Sequence, residues 1–386
     1  MASGGQSAPA AADVIVVGGG LMGASAAFFL RQRGRSVILL ERGLVGQQAS
    51  GVNFGNVRRQ GRYLFQLPLA NRAREIWGRL PELLGEDCEF NPAGHMRVFF
   101  KPELAAAGEA YARDALAYGL ELELISGNAL RARYPYLGPE VLLASLGPND
   151  GHANPRLVAP AFGRAAARDG VRVEENTEVL AIEKVGTDFH VETRDRGAFR
   201  APNLLVTAGA WSGALAARFG EPVPLVARGP QMGVTEPVPY RIGPSLGVST
   251  PVEKETVYLR QVTRGNIVFG GGTRGEVDLE AIRAYVNPAN TLNQMPELQR
   301  LVPGVGALRL IRTWSGIESY LPDDLPIIGA SGKAPGLFYA FGFCGAGFQL
   351  GPGVGDVMAE LIDTGATVTP IEPFDIRRFA ATGAAA

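Results

Sequence analysis

Gly18-Gly19-Gly20-Leu21-Met22-Gly23 follows a short apolar run, and Glu41 closes the next one. A diphosphate has to be approached by bare backbone. Glycines at 18 and 20 permit the tight turn and the close approach, and a glycine at 23 lets the following helix pack against the strand. The helix that starts there aims free N–H groups and the positive end of its dipole at the anion. An acid at the end of the second strand is placed to hold ribose hydroxyls and argues against a 2′-phosphate. The spacing predicts a dinucleotide site with Leu21 and Met22 at its rim, and at this point leaves NAD and FAD both open.

A second glycine-rich run, residues 342–355, follows the apolar segment LFYAF (337–341). Repeated glycine lets backbone lie flat against a ring. A short amphipathic helix is expected over 356–362, with Pro352 just ahead of it, a residue favoured in a first helical turn. Its positive end would stabilise charge developing at the N1/C2=O side of a flavin. Together the two runs favour FAD, which needs a second platform, over NAD.

These residues require particular elements around them. Asp13–Gly18, 24–33 and 36–41 read as strand, helix and strand. Strand character returns at 95–100, helix at 103–118, and Asn154-Pro155 opens a helix through Arg168. The segment 171–207 reads as strands and a hairpin ending in Leu204–Thr207, and the small residues Ala208, Gly209 and Ala210 before Trp211 suit a strand end against a cofactor. Residues 222–325 are richer in proline and β-branched residues, with a hairpin at 257–272. The expected fold class is α/β. A Rossmann-like domain with a parallel sheet would come from 10–84, 150–217 and 326–386. A substrate domain with a mixed, largely antiparallel sheet and helices would come from 85–149 and 218–325. Residues 1–9 read as a disordered tail; an alternative is a signal peptide using the 14–30 run as its apolar core.

Composition excludes several function classes. Fifty-one glycines in 386 residues, without a collagen-like period, point to many close backbone approaches. A net charge of −1 gives no field favouring nucleic acid. Cys88 and Cys344 are far apart and His95, His152 and His190 are scattered, so neither a disulfide framework nor a metal centre is indicated, and a reducing, cytoplasmic setting is the simple reading. The apolar runs at 14–30 and 336–355 are interrupted by glycine, and no transmembrane segment is expected.

The segments DVIVVGGGLMGASAAFFL, ASGVNFGNVR (49–58), LLVTAGAWS (204–212), YLRQVTRGNIVFGGG, RTWSGIESYLPDDLPIIG (312–329) and GFCGAGFQLGPGVG resemble the FAD-dependent amine and amino-acid oxidoreductases of the D-amino-acid oxidase group. The last two look most like the β subunit of multimeric sarcosine oxidase and its dehydrogenase relatives. The resemblance implies that Glu41 and Arg42 hold the adenosine and that Ser50 and Gly51 meet the pyrophosphate. It sets Val179 against adenine, Ala208, Gly209 and Trp211 along the nucleotide, and Arg58 close to the flavin. Gly345, Ala346, Gly347, Phe348 and Gln349 would cover the pyrimidine edge, and Tyr258 and Trp314 would approach the substrate, in an apolar wall shared with Tyr320, Phe341 and Phe343.

The departures shape the expected chemistry. Glycine and D-amino-acid oxidases resemble this chain around Trp314-Ser315-Gly316, but their carboxylate-binding arginine is Glu318 here. Arg62 and Arg260 are the candidate replacements, and Glu318 would meet a cationic amine or face solvent. Gly316 stands where a relative links flavin through cysteine, so FAD is expected to be non-covalent. Val268 and Gln349 replace two lysines of that relative, which tilts the expectation toward a dehydrogenase or slow oxidase. The expected reaction is transfer of a Cα hydride from an amine or amino acid to flavin N5, giving an imine that hydrolyses. A 2-hydroxy-acid dehydrogenase, and a flavin-bearing subunit active only with electron-transfer partners, stand beside it.

Overall fold

A computed structural model describes residues 9–380. The expected tail therefore lies outside the described residues, apart from Pro9. Six strands form the nucleotide-side sheet: β1 (Val14–Val17), β2 (Val37–Leu40), β3 (Arg172–Glu174), β4 (Asn203–Val206), β5 (Ile327–Ala330) and β6 (Leu337–Phe341), in the order β5-β6-β4-β1-β2-β3. All neighbours are parallel except β5 and β6. Val14–Val17 and Val37–Leu40 are buried throughout, as a parallel sheet covered on both faces requires. The register Val17↔Leu40 and Val17↔Val206 brings the carboxyl ends of β1, β2 and β4 to one edge. Ala10–Ala11 pair with Phe199 and Arg200 at the edge of a separate four-stranded sheet.

The second large sheet has eight strands, in the order 310–315, 231–237, 266–271, 257–261, 245–248, 95–99, 143–147 and 123–126. One pair, 245–248 with 95–99, is parallel, and the others are antiparallel. Met96, Val98, Leu246, Leu259, Phe269, Leu298 and Leu301 form its apolar core.

Six helices matter for the site: α1 (Leu21–Gln32), α2 (Leu67–Gly78), α3 (Pro102–Leu116), α4 (Pro155–Arg168), α5 (Pro288–Leu301) and α6 (Gly347–Thr364). Asn154 caps α4 by accepting from the Arg156 N–H. The last helix corrects the expectation of a loop through 355 and a helix over 356–362: it begins at Gly347, and Pro352 lies inside it. Its glycines face other helices. A Cβ on Gly351 would lie 2.5 Å from Leu21, one on Gly353 2.7 Å from Ala73, and one on Gly355 2.2 Å from the Ser25 hydroxyl. The Trp77 indole N–H donates to the Gln349 carbonyl at 2.8 Å, and the Ser25 hydroxyl donates to that of Gly351 at 3.1 Å, so α1 and α2 bond backbone carbonyls in the first turns of α6.

The 14–30 run is thus the central strand and buried helix of the fold. Among the described residues no helix is long and apolar enough to cross a membrane. Alanine is the better helix former by about 1 kcal/mol, yet Gly355→Ala should destabilise the protein by about 1–3 kcal/mol because its methyl overpacks against α1. The readout is a lower denaturant midpoint with unchanged slope; a raised midpoint would show that the helices can separate.

Candidate active site

One continuous cavity of about 740 Å³ runs between the two large sheets, along the carboxyl ends of β1, β2, β4 and β6. Ligands of open α/β sheets bind at such an edge. Three close approaches shape its first turn. Gly18 has φ +106°, and a Cβ there would lie 2.6 Å from the Thr207 carbonyl oxygen. A Cβ on Gly23 would lie 1.9 Å from the Gly18 oxygen, and one on Gly20 3.2 Å from the Ser50 hydroxyl. Ser50 Oγ accepts the Leu21 N–H at 2.8 Å, holding the start of α1.

At one end the lining is Glu41, Arg42, Thr177, Val179, Trp211 and Leu215. Glu41 spans the turn: its two carboxylate oxygens accept the Gly19 and Gly43 N–H groups, each at 2.7 Å. The Arg42 guanidinium lies over the Trp211 ring at 4.4 Å, a cation held against a flat surface. Gly18, Gly20, Leu21, Met22, Ser50, Ala208 and Gly209 line the middle, while Arg58, Gly345, Gly347 and Phe348 line the far end.

The far end is also where Tyr258, Glu318, Tyr320, Phe341 and Phe343 meet. Tyr258 stacks edge-on against Phe54, with ring centroids 4.6 Å apart. The Tyr320 hydroxyl donates to Glu318 at 2.7 Å, and the Arg274 guanidinium sits over the Tyr320 ring at 4.4 Å. Burial pushes the Glu318 carboxyl above its ordinary range, and the Tyr320 hydrogen bond and the Arg274 charge only partly oppose this. The Glu318 side chain is half-buried and lines the cavity.

Seven expected site residues lie outside this lining. Gly23 and Gly51 are spacing glycines; a Cβ on Gly51 would lie 2.3 Å from the Gly46 oxygen. The Trp314 indole donates to the Val52 carbonyl at 2.8 Å and packs beside Phe54 and Met232, behind the wall. Arg260 is buried outside the lining, donating to the Phe54 carbonyl at 2.7 Å with His152 Nδ1 at 3.3 Å. Arg62 and Ala346 line a neighbouring cavity. Gln349 is buried outside the cavity lining, accepting from Arg62 at 2.8 Å and donating to the Ala70 carbonyl at 2.8 Å. Val268 sits in the cluster of Phe54 and Met232.

His95, Arg97 and Arg274 also line the cavity and are not among the residues singled out from sequence. One signal was present for Arg97, a lone cation inside the apolar strand HMRVFF. Burial and the Arg58 charge drive the His95 pKa well down, so its imidazole stays neutral. Cys344 accepts the Leu321 N–H at 3.3 Å, and burial pushes its thiol up to about 11, which keeps it protonated and unreactive.

The glycine cradle, the acid at the strand end and the long cavity fit an extended dinucleotide. Comparisons with known proteins agree. A glycine oxidase of Geobacillus kaustophilus is 28% identical over 379 residues, covering 95% of this chain and 97% of that protein. The sarcosine oxidase subunit beta of Rhodobacter capsulatus is 29% identical over 380 residues, covering 95% and 88%. The crystal structure of an L-proline dehydrogenase from P. horikoshii superposes with a TM-score of 0.90 at 25% identity, covering 97% and 99%. The DAO model of FAD dependent oxidoreductases matches residues 13–361, and the chain belongs to that family.

Proposed function

We propose that the chain oxidises an amine or amino acid at the carbon bearing nitrogen, giving an imine that water hydrolyses. The relatives named glycine oxidase and sarcosine oxidase subunit beta support the substrate class. The observation that carries the reading in this molecule is Glu318. It is an acid at the apolar end of the cavity, bonded to one neutral hydroxyl, and among the described residues it has no ion-pair partner. A carboxylate so placed attracts a substrate cation and repels a substrate carboxylate.

In this reading Gly18, Gly20, Leu21, Met22 and Ser50 hold the pyrophosphate, and Glu41, Arg42, Val179 and Trp211 hold the adenosine. Ala208 and Gly209 flank the chain between them, and Arg58, Gly345, Gly347 and Phe348 surround the ring. FAD, when bound, supplies the acceptor for the electron pair leaving the substrate carbon. Binding is non-covalent, which suits Gly316 and a Cys344 thiol that stays protonated. Tyr258, Tyr320, Phe341 and Phe343 exclude water and orient the substrate. Glu318 takes the proton from the substrate ammonium, leaving the nitrogen lone pair free. Passage of the electrons onward to an acceptor other than O₂ suits the apolar setting of Val268. We place the protein in the cytoplasm, where free thiols are stable. The likeness to a subunit beta supports a second reading, in which it works within a complex.

Two outcomes test this. Anaerobic mixing of the holoprotein with D- and L-amino acids, N-methyl amines and 2-hydroxy acids should bleach the bound flavin with an amine; bleaching by hydroxy acids alone, or by nothing, sinks the proposal. Glu318 carries charge only above its raised pKa, so flavin reduction should accelerate as pH rises through it. Glu318→Gln should abolish that limb and weaken amine binding by roughly tenfold or more, the worth of a charge-assisted hydrogen bond. An unchanged pH profile would remove Glu318 from the proton path.

A further inference from the structure

The rim of the main cavity carries a cation that could serve Glu318 but is paired elsewhere. Glu253 and Arg274 both line this cavity, with side chains 50% and 41% open to solvent, so they stand at its edge. An Arg274 terminal nitrogen lies 3.2 Å from a Glu253 carboxylate oxygen, its only ion pair among the described residues. On its inner side the same guanidinium covers the Tyr320 ring at 4.4 Å, and the Tyr320 hydroxyl donates to Glu318 at 2.7 Å. Arg274 therefore has one acid beside it at the rim and a second beyond the ring it covers.

The backbone at this rim is tied down, which leaves the Arg274 side chain as the part able to change partner. Arg274 follows the strand 266–271 through a turn in which Gly271 and Gly272 have φ +119° and +68°. Two amides of α5 pin that turn: Asn290 Oδ1 accepts the Thr273 N–H at 2.9 Å, and Gln294 Nε2 donates to the Gly271 carbonyl at 2.6 Å. Glu253 opens a short turn, Glu253–Glu255, which Thr250 ties back by donating to Glu255 at 2.9 Å and accepting the Val252 N–H at 3.1 Å. Burial works against the Arg274 charge, but Tyr320, Glu253 and Glu318 outweigh it and hold its pKa above the ordinary value, so it stays a cation. A cation this near Glu318 competes with any ligand cation that Glu318 would receive. A pair as exposed as Glu253 and Arg274 is weak, so removing one partner shifts where the other rests.

We propose that Glu253 is a positioning residue: by pairing with Arg274 at the rim it keeps that guanidinium off Glu318 and leaves the Glu318 carboxylate free for the cationic group of the ligand. The proposal rests on the reading of Glu318 as the acid that meets a cation, and it adds a residue remote from the reacting atoms that sets affinity.

Tetramethylammonium tests it, being a permanent cation with no nitrogen lone pair to drive hydride loss. Its affinity for the holoprotein is measured by calorimetry at fixed ionic strength in wild type, Glu253→Gln, Arg274→Gln and the double variant. Glu253→Gln lets Arg274 turn to Glu318 and should weaken binding roughly two- to fivefold, the range set by an exposed ion pair. Arg274→Gln removes the competitor, so it should strengthen binding more in the Glu253→Gln background than in wild type. If Glu253 acted only as a distant negative charge, the two gains would be equal, since independent effects add. Equal gains, or full affinity in Glu253→Gln, overturn the proposal. Glu318→Gln separates it from the reading beneath it: weaker binding there with equal gains removes only the role of Glu253, whereas unchanged affinity there, or no binding by wild type, removes both.

Discussion

The contact between Gly23 and the Gly18 carbonyl sets the geometry of everything downstream. A methyl at 23 would sit 1.9 Å from that oxygen, so strand β1 and helix α1 meet at a separation that only glycine allows. That closeness places the start of α1 beside Thr207 at the end of β4, and it leaves the other side of α1 free to take α6. Gly351 and Gly355 let α6 approach α1 as closely, which fixes Gly345 and Gly347 at the cavity's far end. One backbone spacing thus couples the phosphate turn near residue 20 to the ring-side loop near residue 345. Close-packed interiors transmit such constraints because they have no slack in which to absorb them.

The charges are arranged along this frame with a clear polarity. Among the described residues Glu318, at the far end of the main cavity, has no ion pair, while Arg58 and Arg97 line the wall shared with the neighbouring cavity and Arg62 lines that cavity, each hydrogen-bonded to neutral groups. Each arrangement opposes stability, since a desolvated charge is stabilised only by a partner. Uncompensated charge of opposite sign at two places around one space is what recognition of a polar small molecule requires. Arg59 and Asp150 show the contrast: this buried pair is satisfied at 2.9 Å and lines neither of these two cavities.

How much of this could be read from the sequence depended on what each residue reports. Glycine spacing at 18–23 reports backbone conformation directly, and the α/β class, the strand ends and the position of Glu41 followed from it. The glycines at 351, 353 and 355 have the same local appearance as those at 342, 345 and 347, but they serve helix packing while the others line the cavity; periodicity cannot tell a cofactor platform from a crowded helix interface. Trp314, Arg260 and Gln349 sit in segments that do reach the site, and only the side-chain direction turns them away from it. Arg97 comes from a strand of the eight-stranded sheet and Arg274 from the loop after another, the strand 266–271, and Gly61 leaves room where Arg97 approaches Arg58. Such pairings depend on register across sequence-distant elements, which a single chain does not display.

The main cavity fits an extended dinucleotide held without a covalent bond, and the most direct test is to precipitate the purified protein with acid and quantify the flavin in the supernatant by chromatography. The expected result is one FAD per chain in solution and none in the pellet. Recovery of FMN alone, or failure to bind FAD on reconstitution, would contradict the extended site, and flavin retained in the pellet would contradict non-covalent binding.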